Sequence, residues 1–61
     1  MRLTAESFEQ KAKEALSTPG EERYNLQKLI NTAAAQLRKQ HDRKLAEQVQ
    51  IARSMIGMGL V

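Results

Sequence analysis

Between Glu21 and Ile56 the chain contains neither proline nor glycine. Nothing in that stretch obliges the backbone to leave a helix. Ala, Leu, Gln, Glu, Lys and Arg dominate it, and these are the residues that lose least on entering one. A stripe runs through Leu26, Ile30, Ala34, Leu37, His41, Leu45, Val49, Ala52 and Ile56, in steps of three or four residues that average 3.75. That period exceeds both the ~3.6 of a straight helix and the ~3.5 of a left-handed coiled coil, so the pattern is not a leucine zipper.

Residues 38–44, Arg-Lys-Gln-His-Asp-Arg-Lys, interrupt the apolar positions. Two readings follow. A single helix over about 19–56 would be roughly 57 Å long at ~1.5 Å per residue. A break near His41–Asp42 would instead set Asp42 as the cap of a third helix. The run lacks Gly, Pro, Ser and Asn, and on that ground the continuous helix is preferred.

The other boundaries carry clearer signals. Thr4 suits an N-cap, Glu6 falls in the first turn, and Leu3 and Phe8 occupy the two positions of a hydrophobic staple. Ala5, Phe8, Ala12 and the pair Ala15/Leu16 mark one apolar face, and Glu9 and Lys13 pair at i,i+4, giving a helix 1 over about 5–17. In Thr18-Pro19-Gly20-Glu21, Thr18 fits an N-cap, Pro19 the first helical position and Glu21 the third. A turn at 17–19 so short predicts an antiparallel hairpin with helix 2 starting at about Pro19. Gly57 is expected to take the left-handed position past the helix, Gly59 to prevent its resumption, and residues 57–61 to form an apolar tail.

The fold class is therefore all-α: one domain over 1–61, a short helix hairpinned onto a long one. A chain of 61 residues without cysteine cannot staple itself, and one histidine makes no zinc site. Oligomerisation or close helical packing must supply the stability. No apolar run approaches the ~20 residues that span a bilayer, and the chain reads as cytoplasmic. Residues 1–22 sum to −2 and residues 23–61 to +5, so the second part favours an anionic neighbour.

For catalysis the sequence offers little. Ser7, Ser17 and Ser54 lack a nucleophile context, His41 is the one neutral-range base, and Glu21 and Glu22 read as first-turn partners of a helix dipole. No glycine-rich phosphate loop is present. The expectation is a protein without enzymatic activity, cofactor, metal or small-molecule substrate.

The informative residues are apolar ones with nothing to cover them. A helix 1 of about 13 residues, ~20 Å long, reaches along helix 2 only to about residue 35. Leu37, Leu45, Val49, Ala52, Met55 and Ile56 would then have no intrachain cover, which predicts a homodimer in which two hairpins form a helical bundle across Leu37, His41, Leu45, Val49, Ala52 and Ile56. The alternative is a three-helix monomer, with a turn at 39–42 folding the last helix back. His41, inside the stripe, would be a partly buried polar residue near such an interface, or a pH-sensitive contact there. Ile51, Met55, Met58, Leu60 and Val61 lie off that face or beyond it and are assigned to a larger protein partner. A regulator or adaptor is the leading reading. A nucleic-acid-binding hairpin is the second, because Lys28, Lys39, Arg43 and Arg53 form one basic line on the wheel of a continuous helix.

Overall fold

A computed structural model describes residues 2–61. They form three helices, α1 (Ala5–Leu16), α2 (Glu22–Lys39) and α3 (Arg43–Gly57), and each packs on both others. The longest dimension is 32 Å, far short of a continuous helix 2, and the radius of gyration is 10.9 Å. A compact chain of this length is expected near 10.5 Å, about what is found.

The start of α1 is as the sequence implies, and the helix ends at Leu16. The Ser7 N–H donates to Thr4 Oγ1 at 3.1 Å and the Thr4 N–H donates to Ser7 Oγ at 2.8 Å. This is a capping box with serine in the place where glutamate is usual. Leu3 and Phe8, the staple pair, are 5% and 1% exposed.

The α1–α2 connection departs from expectation. Helix 2 starts at Glu22, not Pro19. The Glu21 N–H donates to the Thr18 carbonyl at 3.2 Å and Gly20 has φ +87°. Proline followed by a left-handed glycine inside that closed four-residue turn is the signature of type II. Thr18 does not cap α2; its hydroxyl donates back to the Glu14 carbonyl at 3.4 Å. The residue types allowed either geometry, and the positive φ of Gly20 decides between them.

The larger correction is at residues 40–42, where the preferred continuous helix does not form. Gln40 is extended (φ −148°, ψ 116°), and Asp42 is extended (φ −130°, ψ 101°) with its carboxylate accepting the Leu45 N–H at 3.1 Å. Folding back gives up a few helical hydrogen bonds, each worth ~0.5–1.5 kcal/mol net, partly regained through the Asp42 cap. In return Leu45, Val49 and Ala52 enter the core, at 0%, 3% and 4% exposure. A fully buried Leu or Val side chain contributes ~1.5–3 kcal/mol, so burial outweighs the weak preference of 38–44 for helix.

The core centres on Phe8 of α1, Leu26 and Ile30 of α2 and Leu45 of α3, closed by Leu3, Ala15, Ala33, Val49 and Ala52. Among the described residues no polar or charged side chain is buried. One long-range polar tie holds the segment ahead of α1. The Gln36 side-chain amide accepts the Leu3 N–H and donates to the Leu3 carbonyl, both at 2.7 Å. It satisfies both backbone groups of a buried residue, as a neighbouring strand would.

The end of α3 is a Schellman motif. The Leu60 N–H donates to the Met55 carbonyl at 3.0 Å, the Gly59 N–H to the Ile56 carbonyl at 3.1 Å, and Gly59 has φ +73°. Gly59, not Gly57, is thus the left-handed residue, and Gly57 is the last helical one.

Candidate docking surfaces

The fold redistributes the residues singled out in the sequence. Of the six assigned to a dimer face, Leu45, Val49 and Ala52 are core residues of a single chain, and Leu37 and Ile56 are half-buried against that core. His41 is exposed in the α2–α3 connection. The argument that α1 leaves this stripe bare is corrected: α3 turns back and buries Leu45, Val49 and Ala52 within the one chain.

The basic line is divided as well. Lys28 and Lys39 remain on the outer side of α2, while Arg43 and Arg53 belong to α3. Lys28 lies over the ring of Tyr24, its Nζ 5.5 Å from the centroid, a surface cation–π contact. The four residues do not form one continuous track, because the wheel that aligned them assumed one helix.

The partner-facing set fares differently. Ile51 and Met55 line an apolar groove of about 150 Å³ between α1 and α3. Its floor is Phe8, Leu26 and Ala52, its α1 wall is Ala12 and Leu16, and Glu9, Lys13 and Gln48 stand at the rim. Leu16 also borders a neighbouring hollow at the end of the bundle, shared with Leu60 and Val61. Exposure reaches 36% at Leu16, 56% at Ile51 and 68% at Leu60, so large apolar side chains are left in water along this side; Met58, the residue after α3, is also 68% exposed. Val61 packs partly onto the core. The Schellman turn is what brings Leu60 and Val61 to the bundle end, close to Leu16. Leu16 was not singled out in the sequence for this surface, because only the approach of α3 shows which side of α1 it borders.

A second groove, of about 330 Å³, runs between α2 and α3. Ala34 and Leu37 form one side of it, Ala46 and Val49 the other, with Arg38, Gln50 and Arg53 around them. Ala34 and Arg38 are four apart on α2, and Ala46, Gln50 and Arg53 follow at four and three on α3, so each set shares a flank of its helix. Arg38 was outside the basic line drawn from the sequence; once the chain breaks at 40–42 it stands on the flank facing Arg53.

Among the described residues there is no cluster of three metal-ligating side chains, and no helix is long and apolar enough to cross a membrane. The class defined by fold and surface is a three-helix bundle with an apolar groove on one side and an arginine-flanked groove on another. No family model matches the chain, and the comparisons with curated proteins and with solved structures found no match.

Proposed function

We propose that this chain is a non-enzymatic adaptor or regulator that binds a larger protein through its α1–α3 side. An apolar helix face of the partner would lie along the groove between Leu16 and Ile51, with Met58 and Leu60 extending the contact at the bundle end. The observation that carries the reading is the exposure of Leu16 and Ile51 at the two walls of one apolar groove, with Leu60 exposed in the adjoining hollow that Leu16 shares. Ile51 alone, being 56% exposed, leaves about 1 kcal/mol of burial to be gained, and several such residues together make a docking stripe. Met55 and Met58 suit it, because thioether side chains adapt to the surface they meet.

The same side would also serve a second copy of the chain, which keeps the homodimer as a reading. It would then be a dimer of three-helix bundles across Ile51 and Leu16, not of hairpins across Val49.

The test is positional crosslinking in the native cell extract after nuclease treatment. A photoreactive residue at Ile51 should give one discrete adduct, and the same residue at Tyr24, on the outer side of α2, should not. An adduct at the mass of two chains selects the homodimer. No adduct at Ile51, or equal adducts at both positions, would reject the α1–α3 side as the binding surface.

A further inference from the structure

We propose that the α2–α3 groove is a second docking site, built for an acidic amphipathic helix of a partner protein. The site is separate from the α1–α3 side, with different chemistry. Its floor and walls are apolar and low: Ala34 and Ala46 face each other where longer side chains would fill the space. Arg38 and Arg53 flank it, and no carboxylate lines it. The next positions along the α2 flank are Gln27 and Asn31, neither acidic; the carboxylate next on the α3 flank, Asp42, is engaged as the cap of α3, accepting the Leu45 N–H.

The arrangement specifies its occupant. Alanines admit the close approach of a helix, and the half-buried Leu37 offers apolar contact to an incoming side chain. Arg38 stands near the connection, at the second-last position of α2, and Arg53 lies ten residues into α3, about 15 Å from its start, so the two guanidinium groups flank the groove at different levels. Carboxylates two or three turns apart share one face of a helix and span about 11–16 Å, a reach comparable to the spread of the two arginines. Guanidinium groups take such carboxylates in bidentate geometry. The occupant is therefore a helix with acidic residues two or three turns apart on one face and an apolar residue between them.

A nucleic-acid backbone fits less well. It has no use for an apolar floor, and no aromatic side chain lines the groove to stack a base. The chain's own α1, offered by a second copy, fits poorly too, because Glu6 has Lys13 seven residues on.

The experiment uses the full chain, isotope-labelled, and a fluorescein-tagged, capped helical peptide of 18 residues. The peptide carries two glutamates seven apart with a leucine between them on an alanine–glutamine background. Anisotropy should show saturable binding, with amide shifts centred on Ala34, Ala46 and Gln50. Arg38→Glu and Arg53→Glu should each weaken binding at least tenfold, and a peptide with lysines for the glutamates should bind the double variant. Ala46→Leu should block the groove and abolish binding while the melting curve is kept. Ile51→Lys should leave this binding unchanged, which separates the site from the α1–α3 side. No binding, shifts elsewhere, or equal affinity across the arginine variants would overturn the proposal. So would tighter binding of a 16-base-pair duplex that also depends on Lys28, Lys39 and Arg43, since that assigns the charge to nucleic acid.

Discussion

Replacing Val49 by lysine separates a three-helix bundle from a hairpin dimer. In a dimer of hairpins, residue 49 would lie between two chains, and a charge there would yield folded monomers. In the structure Val49 is 3% exposed inside one chain. Losing its side-chain burial costs ~1.5–3 kcal/mol, and an ammonium without a partner there costs several more unless its stem carries it to the surface. A domain of 61 residues has a total stability of about 3–9 kcal/mol at the usual ~0.05–0.15 kcal/mol per residue. The substitution is therefore expected to consume most or all of it. Circular dichroism at 222 nm with sedimentation velocity reads both outcomes. The expected result is a chain largely unfolded at 25 °C at every concentration. Ile51→Lys, two residues along α3 but 56% exposed, should melt within about 5 °C of wild type, the ~1 kcal/mol scale of a surface change. A folded, monomeric Val49→Lys with a near-native melt would refute the packing described for α3.

Other substitutions test the remaining joints. Asp42→Ala should lower stability by about 1 kcal/mol through loss of the α3 cap, and Asp42→Asn should recover most of it, as read by urea unfolding. Gly57→Ala should stabilise by roughly 0.5–1 kcal/mol, because Gly57 is helical and a Cβ there meets nothing within 4 Å. Gly59→Ala should destabilise by ~1–2 kcal/mol through its positive φ; equal effects at the two glycines in thermal melts would contradict the Schellman turn. Gln36→Leu should cost about 1–3 kcal/mol with the loss of both bonds to Leu3. Gln36→Glu keeps only an acceptor at neutral pH, so its deficit should shrink once the carboxyl is protonated below about pH 4. A deficit independent of pH would argue against the bond to the Leu3 carbonyl.

Much of this was legible where the cause is local. Thr4, Leu3 and Phe8 define the start of α1 through groups within five residues of each other, and they sit as the sequence implies. Asp42 was recognisable as a possible cap, yet residues 38–44 favoured continuity because helix propensity is a per-residue quantity. The term that overrides it, burial of Leu45 and Val49 against α1 and α2, exists only after folding. Pro19-Gly20 marked a turn, and its type rested on a dihedral angle that residue identity does not fix. The same division holds for the surfaces. Ile51, Met55 and Leu60 were visible as apolar residues off the main stripe. Leu16 and Arg38 matter through their distance to α3, and no spacing along one helix encodes that.

The Gln36 tie also has a kinetic meaning. It joins positions 33 apart, across the whole of α1 and most of α2. Its two bonds cannot form until the α1–α2 turn has closed and the two helices are aligned, so the loop-closure entropy is spent before they contribute. Interactions absent from the folding transition state govern how fast the native state is lost, not how fast it is reached. The amide of Gln36 thus works as a latch on an already assembled bundle. Its removal should leave the refolding arm of a chevron plot in place and lift the unfolding arm.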